Sequence, residues 1–546
     1  MSIPPGSGPL IWKYTAPKYN SRMALFEVTL VLLTIAVVLL RVARRLRVPY
    51  PSLLALAGGC VAVLPFAPHL SIEPRLALAL FVAPAVMGTA FEMPPRELLR
   101  IWLPLVSLAV ILVLVTTAAV AWAGVALAGV PLAAAVALGA IVAPPDAAAA
   151  AAVLGEFNLP RRTMAVLQGE SLLNDAVALL VFSVAVTAAV SPDRPWESLA
   201  PRLLVAVPGG AALGVLAGLL GLRALKRIGG TLSFIIVQFL VTFGTWILAE
   251  RLQFSPIVAV VALAGVVARF MPARTSPSDR VNSNAVWETV VFVLNVLAFL
   301  LMGLQARVIL DQLRGADLWH ALEFAATVLG VVIGVRFAWV MLYGTLMRLF
   351  RSFIERRVLR ATLPGARLGV LVSWCGMRGL VTLATALALP PQFPSRDLIV
   401  LSAFTVVLGT LIVQGFTIRP LIGLLRIAPD SSLDAEIART RQAMLDAALG
   451  ELAGICGEDA DAVRAEFSAA RASSVDRIPP TTAYDNLRMR GIAAERRLLI
   501  EWRAQGRIFD DGYHLLEEEL DRAELNASHG LARSEVDLEP PRGKSP

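Results

Sequence analysis

The chain has 546 residues, 57% of them hydrophobic and only 16% charged, with a mean hydropathy of +0.70. Soluble domains carry about 25% charged residues, so the composition excludes a soluble enzyme and indicates an all-α polytopic membrane protein. The formal net charge of +8 is unevenly divided: residues 427–546 hold 15 Lys+Arg against 23 Asp+Glu, which leaves 34 against 18 for residues 1–426. The basic excess therefore belongs to the apolar part, where it sets topology, and it does not argue for a nucleic-acid partner.

The N-terminal stretch 1–23 lacks the basic start and cleavage site of a signal peptide and is expected to lie outside the membrane, with the first apolar segment acting as the targeting signal. A window of about 19 residues then predicts about thirteen spans. They run 24–42, 51–66, 76–91, 101–129, 131–153, 163–190, 199–222, 232–250, 256–271, 285–304, 318–347, 367–389 and 397–425. The loops after odd-numbered spans are basic, for example Arg41, Arg44, Arg45 and Arg47, then Arg223, Lys226 and Arg227, then Arg348, Arg351, Arg356, Arg357, Arg360 and Arg367. Loops after even-numbered spans carry few cations, among them Arg75, Arg194 and Arg251. By the positive-inside rule the N-terminus is outside and the C-terminal tail is cytoplasmic.

Span five is interrupted by Ala143-Pro144-Pro145-Asp146, where two adjacent prolines remove backbone donors and clash with the preceding turn. The alanine run Ala147–Ala152 beyond it reads as close packing. Span six opens with Gln168-Gly169-Glu170-Ser171-Leu172-Leu173-Asn174-Asp175. Glu170 and Asn174 share one helix face there, and Ser171 and Asp175 the neighbouring one. A capping acid at the interface accounts for Glu170. It does not account for Asp175, because roughly four more apolar turns follow, and a carboxylate at membrane depth marks an ion or proton path.

Span eleven holds Arg336 near its middle, a cation that needs an anionic partner; Glu170 is the best candidate and Asp146 the next. Span twelve is interrupted by Trp374-Cys375-Gly376-Met377-Arg378-Gly379, with glycines flanking a buried arginine. A broken span in each half, each carrying an ionisable group, is the pattern of a secondary transporter built from repeats around a midplane site. The breaks are seven spans apart, which reverses their direction across the bilayer, as inverted repeats require. Asn295, Gln305 and Gln414 read as interhelical hydrogen bonds.

Beyond Arg426 the chain becomes rich in Ala, Leu, Glu and Arg, with opposite charges at helical spacing over Ala493–Arg507 and Leu515–Leu525. Residues 427–546 are expected to form a cytoplasmic helical or dimerising tail, divided near Pro479-Pro480 and disordered from Ser528. The three cysteines match no metal-ligand spacing, and neither a Walker motif nor a dinucleotide fingerprint is present, so no cofactor and no ATP-driven step are expected.

With these motifs in place, Gly169-Glu170-Ser171-Leu172-Leu173-Asn174-Asp175 resembles the signature of the sodium/proton exchanger family of monovalent cation/proton antiporters. Gly376-Met377-Arg378-Gly379-Leu380-Val381 and Leu387-Ala388-Leu389-Pro390 resemble the second broken-helix region of its bacterial branch. Pro144-Pro145-Asp146 and Asn158-Leu159-Pro160-Arg161-Arg162 resemble the first. The likeness covers roughly residues 24–425. It implies a homodimer with a panel-like dimerisation domain, against which a core domain of two broken, crossing helices moves.

The resemblance further implies that Asp175 binds cation and proton in competition, that Ser171 assists, and that Asp146 compensates the partial charges where the broken helices cross. By the same resemblance Glu170 pairs with Arg336, Arg378 steadies the second break, and Asn174 stands where electrogenic relatives carry a second aspartate. The sequence departs from the family pattern at Pro145 and Ala147, on either side of the first-break aspartate, and near Gly88-Thr89, where an acid is common; here Glu92 comes only at the end of the span.

A single carboxylate holds either the proton or the cation, so the two flows are coupled one for one if the site reorients only when neutralised. With Asn174 uncharged, the exchange is expected to be electroneutral, with Na⁺ as substrate and K⁺ as the alternative, serving pH and cation homeostasis at the plasma membrane. A transport-inactive sensor or scaffold is the rival class. The spans carry neither a Ser/His dyad nor HExxH, which argues against an enzyme.

Overall fold

The computed structural model describes residues 21–46, 48–63, 73–92, 101–146, 149–150, 154, 159–190, 200–227, 231–271, 277–311, 316–349, 365–427, 432–473, 483–505, 516–517 and 519–524. The chain divides into two compact units, Met1–Pro429 and Asp430–Pro546.

Among its described residues the first unit is built of helices joined by short turns, with no strand. Helix α1 is Ser21–Leu46 and α2 is Tyr50–Val63. Helix α3 runs Pro74–Ala77, widens into a π turn over Leu78–Val82 and continues as Ala83–Glu92. Helix α4 does the same: Trp102–Val106, a π turn at Ser107–Ile111, then Leu112–Ala128, which ends on Gly129 in the left-handed conformation (φ 61°). Helix α5, Leu132–Val142, stops at the double proline. Then come α6 (Arg161–Val190), α7 (Ala200–Arg227), α8 (Thr231–Arg251) and α9 (Pro256–Phe270), the last capped by the Ser255 hydroxyl. Helices α10 (Pro277–Asp311) and α11 (Ala316–Leu349) precede the second break, which separates α12 (Ala366–Trp374) from α13 (Leu380–Leu387). Helix α14 is Arg396–Leu425.

The thirteen predicted spans fall on these helices in order. Among the described residues, eight helices are long and apolar enough to cross a bilayer; Tyr50–Ala62, Leu132–Val142 and Pro256–Phe270 are shorter apolar helices. Spans five and twelve fall short because each is interrupted by its break. The π turn in α3 was not anticipated, although Pro84 signals it: proline has no N–H to return to Leu80, and the turn before it is the one that widens.

Two apolar cores organise the unit. One joins α2, α4, α5, α10, α11 and α14 through Leu54, Leu138, Leu300, Val328 and Leu411. The other joins α3, α7, α8 and α9 to one face of α6 through Ala83, Leu172, Ala176, Trp246 and Val260. Helix α6 thus lies between the two.

In the second unit the helices are α15 (Ser432–Leu452), α16 (Glu458–Ser473), which packs against α15, and α17 (Ala483–Ala504). Arg471 pairs with Asp446 at 2.6 Å, and Arg496 reaches Asp521 at 2.7 Å and Glu524 at 2.6 Å. Of the charged stretch 493–507, Arg496 enters this network, paired with Asp521 and Glu524. Pro479-Pro480 and everything from Ser528 onward lie outside the described residues.

Helices α2 and α10 approach backbone to backbone. A Cβ on Gly58 would strike the Leu300 carbonyl, and one on Gly303 would strike that of Ala55, whereas one on Gly59 would only touch the Gly303 carbonyl oxygen at 4.0 Å. Gly58→Val is therefore expected to cost about 1–3 kcal/mol through overpacking. In a thermal melt of the detergent-solubilised protein it should unfold clearly below wild type, while Gly59→Ala stays close to it.

Candidate functional site

Each interrupted helix leaves carbonyls without intrahelical donors, at a depth where water does not supply them. Arg378 donates through Nε to the Val142 carbonyl at 2.7 Å, at the C-terminal end of α5, and through its guanidinium to the Gly376 carbonyl of its own break. Its backbone N–H donates to Thr410 Oγ1 on α14 at 2.9 Å. Arg336, reaching over from α11, donates through Nε to Ser373 O (3.2 Å) and through Nη2 to Val372 O (3.1 Å), at the C-terminal end of α12. Each arginine thus brings positive charge to the negative end of a half-helix.

Arg336 also makes a bidentate pair with Glu170, at 2.5 and 3.0 Å, and both side chains are only 1% exposed. Fork-to-fork geometry of this kind is the strongest form of the interaction. The glycines of the second break serve close approach as well as loosening the helix. A Cβ on Gly376 would run into the Arg336 side chain, and one on Gly379 would run into the Asp146 carboxylate.

The two breaks are joined directly. The Asp146 N–H donates to the Met377 carbonyl at 2.8 Å, and the Asp146 carboxylate lies against Gly379, the N-cap of α13, where the half-helix presents its positive end. Asp146 Oδ1 also accepts from the Ala149 N–H at 3.5 Å. Across from the first break, Asn174 donates from Nδ2 to the Pro145 carbonyl at 3.1 Å, while its Oδ1 is buried without a hydrogen-bond partner.

Asp175 is 7% exposed, and its side chain lines a cavity of about 60 Å³ together with Asp146, Ser171, Thr89 and Asn295. Phe81 and Val82, from the π turn of α3, and Phe299 form part of the apolar wall. One water needs roughly 10–15 Å³ of such space, so the cavity has room for a small ion together with a few waters of its hydration shell. Two carboxylates with hydroxyl and amide oxygens form a hard, all-oxygen donor set suited to a monovalent cation or a proton. A larger cavity of about 400 Å³ adjoins this one, sharing Ala85, Thr89 and Asn295 and bordered by Tyr50, Trp287 and Glu288.

Of the residues singled out in the sequence, Asp175, Asp146 and Ser171 meet in the small cavity. Arg336 and Arg378 bond the half-helix ends, Glu170 pairs with Arg336, and Asn174 bridges α6 to the first break. The reading of Asn295 and Gln414 as interhelical hydrogen bonds gives way to a different placement. Asn295 lines the cavity, and Gln414, fully buried on α14, has both side-chain polar atoms without a partner. Thr89, named in the sequence only as a departure from the family pattern, lines the cavity as well. Its position beside the expected place of an acid in span three was the available signal.

Broken helices crossing at membrane depth, with paired carboxylates in an oxygen-lined cavity beside them, define the class of secondary transporters built around a midplane ion site. Residues 31–423 match the family described as sodium/hydrogen exchanger, transmembrane, and the chain belongs to this family of cation/proton exchangers. An uncharacterized Na⁺/H⁺ exchanger of Mycobacterium tuberculosis is 33% identical over 434 residues, 77% of this chain and 79% of the relative. A sodium, potassium, lithium and rubidium/H⁺ antiporter of Bacillus subtilis is 28% identical over 409 residues, 72% of this chain and 60% of the relative. The sodium proton antiporter MjNhaP1 of Methanocaldococcus jannaschii shares the fold, with a TM-score of 0.57 at 18% identity over 75% of this chain and 99% of that structure.

Removing one partner of the Arg336–Glu170 pair leaves an uncompensated buried charge, at a cost of about 3–5 kcal/mol. Arg336→Gln and Glu170→Gln are each expected to lower the melting temperature sharply. The double variant Glu170→Gln/Arg336→Gln should melt above the weaker single variant, and a double variant no better than that single would sink the pairing argument.

Proposed function

We propose that the chain is a secondary antiporter exchanging Na⁺ for H⁺ one for one at Asp175. The observation that carries this reading is the meeting of the Asp175 and Asp146 carboxylates in one small cavity at the crossing of two broken helices. Asp146 lies against the N-terminal end of α13 and is engaged there. In this reading its charge balances the helix ends, and Asp175 is left to carry the exchangeable proton or cation. Ser171 assists through its hydroxyl, with Thr89 and Asn295 as further oxygens around the cation. Asn174 adds no charge and ties α6 to the first break, Arg378 steadies the second, and Glu170 with Arg336 fixes α6 against α12.

Since Asp175 neutralised by either ligand has the same net charge, the cycle is electroneutral. The N-terminus is outside, the tail (427–546) is cytoplasmic, and the transporter works as a homodimer in the plasma membrane; the loop arginines and the family resemblance support this arrangement. Potassium is the second reading for the cation, because the Bacillus relatives carry potassium in their printed names. The retention of Asp175, Asp146 and Arg378 together in a connected site weighs against a transport-inactive scaffold.

Everted vesicles loaded with a ΔpH dye provide the test. Wild type should collapse the gradient on addition of Na⁺ or K⁺, the responding ion fixing selectivity, and Asp175→Asn should fall to the vesicle background. A wild type silent to every monovalent cation across the neutral pH range would move the scaffold reading to the front. In the same vesicles, Asn174→Asp should add a second titrating carboxylate beside Asp175 and make exchange electrogenic. A potential-sensitive dye would report this, and an unchanged dye signal would count against the one-carboxylate account.

A further inference from the structure

A third cavity, of about 240 Å³, lies away from the Asp175 site, between the ends of α4, α6, α11 and α12 that adjoin the basic loops. It shares no lining residue with the two cavities described above. Its wall is mostly apolar, Leu108, Val166 and Met341 among its residues, while its polar groups are concentrated in Arg162, Arg348, Thr163 and Tyr343. We propose that this cavity binds an anionic phospholipid, with the phosphate held between Arg348, Arg162 and the start of α12 and the glycerol end and first acyl methylenes against the apolar wall.

Three observations converge on that occupant. The Tyr343 hydroxyl oxygen is buried without a hydrogen-bond partner, on a residue that lines the cavity. An unmade bond at a buried hydroxyl costs free energy that an acceptor oxygen in the cavity would return. Helix α12 begins at Ala366 after Gly365, which offers no side-chain cap, so the first N–H groups of the helix lack an acceptor from the capping residue. Arg348 curls back along α11, with Nη2 4.0 Å from where a Cβ on Gly344 would sit, which places its guanidinium over the cavity wall.

Two cationic side chains and a helix N-terminus disfavour a transported cation and favour an oxyanion. A free oxyanion would leave the apolar wall uncovered, whereas a phospholipid satisfies both parts of the lining. Basic pockets between membrane helices on the cytoplasmic side are where anionic headgroups concentrate.

The site bears on the transport machinery through covalent neighbours. Val372, which lines the cavity, gives its carbonyl to Arg336, and Val166 is one helical turn before Glu170. A lipid seated here braces α6, α11 and α12 at the point where the buried ion pair joins them. The proposal stands on this cavity alone and does not depend on which cation is exchanged.

The test uses the full chain, purified and delipidated in detergent, with thermal melts and native mass spectrometry read after addition of phosphatidylglycerol, phosphatidylcholine or inorganic phosphate. Phosphatidylglycerol should raise the melting temperature and remain bound, phosphatidylcholine should do neither, and Arg348→Gln and Tyr343→Phe should each weaken the lipid response roughly tenfold. Arg348→Lys should keep part of it. Tyr343→Phe removes a single oxygen and serves as the test if Arg348→Gln fails to fold. An unchanged lipid response in both variants would overturn the site, and a full shift from inorganic phosphate alone would overturn the choice of a lipid in favour of a free anion.

Discussion

A helix interrupted inside a bilayer exposes backbone carbonyls and amides where hydrocarbon offers no partner, and each unsatisfied group costs several kcal/mol. The structure of the transmembrane unit depends on how this constraint is met twice. At the C-terminal ends of α5 and α12 the solution is cationic: Arg378 takes Val142 O, and Arg336 takes Val372 O and Ser373 O. At the N-terminal end of α13 it is anionic, since Asp146 lies against Gly379. A direct bond from the Asp146 N–H to the Met377 carbonyl then makes one object of the two breaks. Removing Arg378 would disturb both broken helices, because it bridges from the second break to α5, whereas Arg336 ties α11 to α12 and, through Glu170, to α6.

The charges in this assembly fall into two groups. Glu170 and Arg336 satisfy one another and sit almost fully out of contact with any solvent space, so their combined charge is close to zero and their role is to hold helices. Asp146 and Asp175 share a cavity instead, and only one of them lies against a helix N-terminus. Two carboxylates of like charge in one small space disfavour a doubly ionised, empty site, so an ion or proton has the most to gain at the one that the helix does not stabilise. That asymmetry is the physical basis for giving Asp175 the exchangeable role in the proposed cycle.

Much of this was legible in the sequence because charge within an apolar run is conspicuous. Arg336 at mid-span demanded an anion, and Glu170 was the candidate whose position on α6 could meet it. The double proline at 144–145 and the glycines at 376 and 379 marked where the helices open. What could not be read were features that depend on close three-dimensional approach. The glycines of the second break are needed to admit the Arg336 side chain and the Asp146 carboxylate, which no spacing within span twelve reveals. Thr89 and Asn295 are ordinary polar residues on two helices far apart in sequence, and only the packing of α3 and α10 beside the breaks brings them to the cavity. The π turn before Pro84 belongs to the same class. Its proline was visible, but the consequence, a widened turn that places Phe81 and Val82 on the cavity wall, needed the fold.

The position of α6 bears on how the site would face either side of the membrane in the proposed cycle. One face of the helix belongs to the core that contains both breaks, and the other meets α3 and α9 through Leu172 and Ala176. Asp175 lies between these faces, so the cavity wall is built from both sides: Asp146 and Leu380 from the broken helices, Thr89 and Phe81 from α3. The hydrogen-bonded contacts, including the bonds to Pro145, Met377, Val142 and Val372, all lie on the broken-helix side. The α3 side contributes apolar surface and Thr89, whose hydroxyl is bonded within its own helix to Ala85 O. Sliding α6 and the breaks together past α3 would therefore break no buried polar contact among those named here. An exchange mechanism needs that division: strong bonds within the body that carries the ion, and a greasy surface for it to move across.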